Sequence, residues 1–363
     1  MRGIRRASPM HIVDISGILC LNMNSILLPG GILLATTIKD VAKRAGVSVT
    51  TVSRALNHHD YISDATMQKI NHAMVELNYS PNQVARNLFH SKTQTIGLVI
   101  PSISYPFFGE MTQLIEQKLY DIGYHVLLCT TDGDHARESD IFDILRQHRM
   151  DGIIIGSPSL PDSEYSRVGI PIVAFDTLMT SASVSIAANH RLGGQMAADI
   201  LLKSGCRRFL QIVGNPEAKT GATERHQVFL ERAMAAGYPC VSIPVQSNFF
   251  DKTQYERIVE RIFADYPDTD GFFATDLFAA EIVKCALRRG LSVPEDIQVV
   301  AYDGTYVSTI THPVLTTIRQ PFEDLAQKVI ESMAGLIDGK PVEKRIILDN
   351  LQILPGGTTR FVL

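Results

Sequence analysis

Apolar residues at Ile38, Val41, Ala42 and Ala45 return at intervals of three and four, the spacing of one helical face, and Gly46 follows where a left-handed cap would end the helix. Ser48 then stands in an N-cap position, and Val52, Ala55 and Leu56 give a second short helix its buried side. Two such helices joined by so short a turn predict a helix-turn-helix, although an ordinary helical hairpin would carry the same pattern. A third helix is expected over 64–77, capped by Ser63, with Met67, Ile70, Met74 and Leu77 on its buried face. Pro81 opens the next segment, where N-Q-V-A-R-N-L from Asn82 to Leu88 is helical in pattern but too short to hold a helix alone.

From Thr95 the pattern changes. T-I-G-L-V-I-P (95–101), H-V-L-L-C-T (125–130), G-I-I-I-G (152–156) and P-I-V-A-F-D (171–176) are short, continuous apolar runs, as expected of strands buried on both faces. Helical stretches at 108–121 and 139–148 lie between them, which predicts a parallel α/β layer. A second set follows, with strands at 209–214, 271–276 and 297–303 and helices near 191–204, 224–236, 253–265 and 277–289. Two such halves enclose a cleft, and ligands of open α/β sheets bind beyond the carboxyl ends of the strands. Asp176, Thr275, Asp276 and Asp303 end strands there, Ser157 follows G-I-I-I-G, and Arg225 opens the helix E-R-H-Q-V-F. Carboxylates and a guanidinium converging on a cleft can each hold two adjacent hydroxyls by charge-assisted bonds, which suits a sugar. The bland reading of each acid is a helix N-cap after a strand, and it weighs most at Asp276.

Charge divides the chain in the same place. Residues 36–95 carry seven basic and four acidic residues, whereas 96–363 carry 24 and 33, so phosphate contact is plausible only near the N-terminus. On the outer face of the second helix lie Val49, Thr50, Thr51, Ser53 and Arg54, small and hydroxylic residues plus one guanidinium, suited to base edges in a major groove. Cys20, Cys129, Cys206, Cys240 and Cys285 are odd in number, with no CxxC or Cys/His metal spacing, and read as free thiols in a reducing cytoplasm. His58-His59 falls in a polar turn without ligand partners, so neither a metal nor a cofactor is expected.

T-I-K-D-V-A, A-G-V-S and T-V-S-R-A-L-N, with L-N-Y-S-P-N-Q-V-A-R-N-L from Leu77 to Leu88, resemble the DNA-binding head and hinge of the lactose/galactose repressor family. The resemblance implies an all-α helix-turn-helix head on an α/β, periplasmic-binding-protein-like sensor of two parallel-sheet subdomains. The head would span 36–80, the hinge and linker 81–94 and the sensor 95–363, with one subdomain at about 95–186 and 319–346 and the other at about 187–318 and 347–363. It implies DNA contacts at Asn57, Asn82 and Arg86, and Leu88 as the wedge that opens a base step in the minor groove. In the sensor it implies that Phe107, Phe108, Phe249 and Phe322 pack the effector, that Gln320 occupies a matching position, and that Asp303 and Arg225 contact the ligand. Ala301 and Gly304 stand where many members have Gly and Asp, Ala188 where an Asp is usual, and Val228 where a Gly is common, which puts the ligand's identity in doubt. A-Y-D-G-T with E-R-H-Q-V-F looks most like the sucrose operon repressors, which implies a sucrose or fructoside effector.

Residues 1–35 fit least well. Arg2, Arg5 and Arg6 precede an apolar run broken by Asn22, Asn24 and Pro29-Gly30-Gly31, a poor membrane span beside the expectation that the true start lies near Leu34 or that the stretch is a disordered extension. With no G-x-S-x-G, P-loop or G-x-G-x-x-G after a strand, nothing points to an enzyme. The competing classes are a membrane-tethered or exported sugar-binding protein built on the same cleft, and a regulator with a purine or phosphoprotein effector. The favoured expectation is a cytoplasmic homodimer that binds double-stranded operator DNA and a small sugar, with no membrane partner, since no heptad tail suggests a four-chain bundle.

Overall fold

The computed structural model describes residues 36–56, 62–79, 92–214, 221–245 and 252–360. Residues 1–35, Asn57, His58-His59, the hinge with Asn82, Arg86 and Leu88, and Phe249 lie outside the described residues. The chain divides into two units, Met1–Phe89 and His90–Leu363.

The first unit is a three-helix head: α1 (Ile38–Ala45), α2 (Val49–Leu56) and α3 (Asp64–Glu76). The Asp40 carboxylate accepts from both the Thr37 N–H (2.9 Å) and its hydroxyl (2.6 Å), which holds the first turn of α1, and Gly46 ends the helix at φ +69°. Ser48 Oγ accepts from the Thr51 N–H (3.0 Å), so α2 has the side-chain cap that its sequence calls for. Ser63 stands at the N-cap of α3, but its hydroxyl bonds the Thr66 hydroxyl (2.9 Å) and makes no side-chain cap. Val41, Ala42, Val52, Ala55, Ile70 and Ala73 meet in the core, with Met67, Met74 and Leu77 packed half-buried around them.

The second unit holds two six-stranded sheets. The first-lobe sheet is built from β1 (Thr95–Ile100), β2 (His125–Thr130), β3 (Gly152–Gly156), β4 (Ile172–Phe175), β5 (Val184–Ala188) and, from far along the chain, β11 (Arg345–Leu348). Its order is β11-β5-β4-β3-β1-β2, and every pair is parallel. Helix α4 (Pro106–Asp121) and helix α5 (His135–Gln147) follow β1 and β2, and short α6 (Asp162–Ser166) follows β3. Helix α4 begins two residues before the expected start because Pro106 sits at its first position, where a missing N–H costs nothing.

The second lobe opens with α7 (His190–Lys203) and continues through β6 (Phe209–Val213), α8 (Ala222–Ala235), β7 (Cys240–Pro244), α9 (Lys252–Asp265), β8 (Gly271–Thr275) and α10 (Asp276–Arg288). It then adds β9 (Gln298–Asp303), the single turn α11 (Val307–Ile310), β10 (Thr316–Arg319) and, after α12 (Phe322–Ile337) and β11 have returned to the first lobe, β12 (Gln352–Leu354). The sheet order is β12-β10-β9-β8-β6-β7. The strands expected here at 209–214, 271–276 and 297–303 pair parallel, and β12, which the sequence did not mark, pairs antiparallel with β10 at the sheet edge.

A correction concerns 125–130. That apolar run is an edge strand, and Leu127 and Leu128 are 38% and 39% exposed instead of buried on both faces. Continuity of apolar residues reports strand and helix alike but not the position of a strand within its sheet, which is set by topology.

The helix pair α7 and α8 owes its closeness to two glycines. A Cβ on Gly194 would lie 2.2 Å from the Arg225 carbonyl oxygen, and one on Gly193 would lie 2.5 Å from the Tyr302 hydroxyl. Their absence of side chain lets α8 carry Arg225 inward over the ring of Tyr302.

Candidate functional site

In the head, α2 turns Val52 and Ala55 into the core, which leaves Val49, Thr50 and Arg54 exposed and Thr51 and Ser53 half-buried. Thr51 is also committed locally, since its hydroxyl bonds Ser48 Oγ (2.8 Å) and its N–H is the one capped. The face therefore exposes Val49, Thr50 and Arg54, and a guanidinium such as that of Arg54 can match two acceptors on one guanine.

In the sensor, the carboxyl ends of strands from both sheets deliver a buried polar cluster. Asp303, the last residue of β9, is 4% exposed and sits at φ +103°, a conformation that L-residues rarely adopt. Its Oδ1 accepts from Gln320 Nε2 (2.9 Å) and lies 3.7 Å from Arg225 Nη1, and its Oδ2 accepts from the Tyr105 hydroxyl (3.5 Å). Arg225, 5% exposed, lays its guanidinium 4.0 Å over the Tyr302 ring. Asp176 follows β4 at φ +54° and bonds His190 Nε2 (2.9 Å), while His190 Nδ1 meets the Tyr302 hydroxyl (3.2 Å). Ser157 follows β3, also in the left-handed region at φ +55°. Three of the expected site residues thus sit in costly backbone conformations at strand ends, a form of strain that gathers at binding sites.

Burial sets the electrostatics. It pushes the Asp303 carboxyl up to about 6, opposed by the Arg225 charge and the Gln320 amide. Burial disfavours the Arg225 cation, yet the carboxylate of Asp303, with Tyr302 and Asp176, outweighs it and raises its pKa. Among the described residues, three atoms of this cluster have no hydrogen-bond partner: Arg225 Nε, a donor, Gln320 Oε1, an acceptor, and Thr275 Oγ1. A buried polar atom left unpaired costs about 1–3 kcal/mol, so a donor and an acceptor beside one carboxylate mark a candidate site for a polar guest.

The other expected residues divide. Asp276 starts α10 behind the N-cap Thr275 and accepts from the Thr305 N–H (2.6 Å), the Thr305 hydroxyl (2.7 Å) and the Thr317 hydroxyl (2.8 Å). Burial and the nearby Asp303 push its carboxyl up to about 7. It braces the loop after β9, and all its observed bonds are structural. The Thr275 hydroxyl faces the Tyr105 phenol. Phe107 and Phe322 are 2% and 1% exposed and pack against each other (5.5 Å between centroids) in the first-lobe core, so the structure makes them the support of the site, and Phe108, half-buried against Phe107 and Phe175, lies nearer its surface.

Three participants were not read from the sequence: Tyr105, Tyr302 and His190. Tyr105 stands in the loop beyond β1, where the strand-end rule already pointed. Tyr302 alternates with Asp303 and reads as an ordinary core aromatic. His190 follows β5, S-I-A-A in part, a strand too short and weakly apolar to be singled out. Glu110, on α4, completes a bridge between the lobes by accepting the Tyr306 N–H (2.8 Å).

A helix-turn-helix head joined in one chain to a two-lobed domain with a buried polar cluster between its lobes defines a ligand-responsive DNA-binding regulator. The comparisons agree. Residues 37–82 match the model of the bacterial regulatory proteins of the lacI family, and residues 198–359 match the periplasmic binding protein-like domain. The chain is 36% identical over 310 residues to the ribose operon repressor of Halalkalibacterium halodurans, covering 85% of this chain and 92% of that protein. It is equally 36% identical over 310 residues to the sucrose operon repressor of Lactococcus lactis subsp. lactis, covering 84% and 95%. Its fold superposes with a TM-score of 0.67 on a periplasmic binding protein/LacI transcriptional regulator from Alkaliphilus metalliredigens solved with D-xylulofuranose, at 32% identity over 73% of this chain and 99% of that one. The chain belongs to the lacI family of bacterial regulatory proteins. No helix among the described residues is long and apolar enough to cross a membrane.

Proposed function

We propose that this regulator represses carbohydrate-utilisation genes as a cytoplasmic homodimer without enzymatic activity, and that a small furanose-type sugar bound between the sensor lobes lowers its affinity for operator DNA. The observation that carries the ligand class is a pair of buried atoms without a partner among the described residues, Arg225 Nε and Gln320 Oε1, on the two side chains that meet Asp303 Oδ1. One hydroxyl of a vicinal diol can accept from the arginine and donate to the carboxylate while its neighbour donates to the amide oxygen. Relatives are named for ribose and sucrose operons at equal identity, and one neighbour was solved with D-xylulofuranose, a furanose like the fructosyl half of sucrose. That agrees with the sucrose or fructoside expectation and widens it.

The mechanism follows from linkage. A sugar can change DNA affinity only through its differential affinity for two lobe arrangements, so closing the cleft must alter the paired hinge segments Asn82–Leu88. When they part, the contact expected of Leu88 with the minor groove is lost, and each head binds weakly by itself.

Fluorescence anisotropy of the full chain on the DNA upstream of its own gene tests the proposal. Tight binding that D-ribose, D-fructose or sucrose reverses is the expected result. Binding that no sugar alters, or no binding at all, would sink it.

A further inference from the structure

His190 lies in the sensor between the two lobes and links residues of the candidate site, Asp176 directly and Arg225 through Tyr302. The Asp176 it bonds belongs to the first lobe, beyond β4, whereas His190 is the first residue of α7 in the second. Its other ring nitrogen meets the Tyr302 hydroxyl at 3.2 Å, the Tyr302 ring supports the Arg225 guanidinium at 4.0 Å, and Arg225 faces Asp303. From Asp303 the contacts return to the first lobe through Tyr105. The imidazole has no freedom to do otherwise: it is 2% exposed, it stacks on Tyr302, and a Cβ on Gly221 would lie 2.7 Å from its Cδ2. Its backbone is fixed as well, because the Asn189 side chain caps α7 on the Leu192 N–H (3.0 Å) and ties back to Asp349 (2.7 Å).

Resting on the sugar-site reading above, we infer that His190 is a positioning residue which couples the angle between the lobes to the placement of Arg225. Rotation of one lobe on the other moves Asp176 relative to α7. The imidazole must follow or lose a buried hydrogen bond, and through the Tyr302 ring it carries the shift to the guanidinium. The ligand-reading arginine is therefore aligned in the lobe arrangement that keeps the Asp176–His190 bond and misaligned in the other. The circuit makes sugar affinity and lobe angle one variable.

The two nitrogens of the ring can be tested separately. His190→Gln can keep the amide that reaches Asp176 but not the bond to Tyr302, Tyr302→Phe removes that same bond while keeping the ring under Arg225, and His190→Ala removes both. Calorimetry with D-ribose, D-fructose and sucrose, operator anisotropy and thermal melting are measured on the full chain. His190→Ala should weaken sugar binding about tenfold, the effect of one coupled buried bond, with sugar-free operator affinity unchanged or raised by no more than that factor, since the lost bond favours the sugar-binding lobe arrangement. His190→Gln should recover part of that loss, and the His190→Gln/Tyr302→Phe double variant should lose no more than the larger single, since both delete one bond. If His190→Ala does not fold, the Gln and Phe variants with their double decide the matter. Additive losses in the double, or a folded His190→Ala that binds sugar like the wild type, would overturn the inference alone. A wild type that binds none of the sugars would remove the site reading and the inference with it.

Discussion

The reading face of the head and the cleft of the sensor present opposite kinds of surface. Around Arg54 the side chains stand out from a six-residue apolar core and answer mainly to the helix beneath them. Around Asp303, the side chains of Arg225, Tyr302 and Gln320 are buried and that of Tyr105 is half-buried, and each is held by another. An exposed contact can be exchanged at the cost of its own interaction. A buried network resists such exchange, because removing one member leaves its partners unsatisfied in a medium of low dielectric.

The largest expected effect follows from that contrast. Asp303→Ala leaves the Arg225 cation buried without its counter-charge, and breaking a buried pair in this way costs roughly 3–5 kcal/mol. Denaturant unfolding of the sensor should show a loss of that order, and the sugar response should vanish while the heads keep their intrinsic DNA contacts. A variant of near wild-type stability that still answers to sugar would erase the contrast between the two sites.

The buried acids should also make the sensor respond to pH. Asp303 and Asp276 are held at about 6 and about 7, above the ordinary 3.8, so their charged forms are disfavoured in the folded state. Folding is then least opposed below about pH 4, and stability is lost as pH rises from about 4 to about 7, by on the order of a few kcal/mol. Sugar binding runs the other way: hydroxyls that donate to the Asp303 carboxylate need it ionised, so affinity should fall as pH drops below about 6. Unfolding midpoints and calorimetry across that range check both signs, and parallel curves for the two properties would contradict them.

In the head the changes should be smaller and local. Arg54→Ala should cost roughly 1–3 kcal/mol of operator binding and relax preference at one base pair, as read by anisotropy on a set of singly substituted operators. A loss spread evenly over all sequences would make Arg54 a phosphate contact. Ser48→Ala removes the cap on the Thr51 N–H and should lower the stability of the head by about 1 kcal/mol, without altering which base pairs are preferred. A change of preference there would mean that the Ser48–Thr51 pair itself reads DNA.

What could be read along the chain was whatever its local chemistry enforces. The intervals of Ile38, Val41, Ala42 and Ala45, the stop at Gly46 and the cap at Ser48 are decided by residues within a turn or two of one another, and the structure shows helices and caps there. Runs such as G-I-I-I-G and G-F-F-A-T-D marked strands for the same reason, and the strand-end rule directed attention to Asp176 and Asp303 before any neighbour was known. The closeness of α7 and α8 at Gly193 and Gly194 depends on Tyr302 and Arg225, which lie far off along the chain.

Tertiary structure alone decided the rest. It placed 125–130 at a sheet edge and turned β12 against β10, because strand order depends on pairing between segments far apart in sequence. It brought Tyr105 to Asp303 across 198 residues and His190 to Tyr302 across 112. It divided the aromatics as well, giving Phe107 and Phe322 to the core. A sequence specifies which residues are able to ionise, stack or donate. Which of them meet, and which are left with a donor or acceptor for a guest, depends on the way two sheets close over one cleft, and no spacing along the chain encodes that distance.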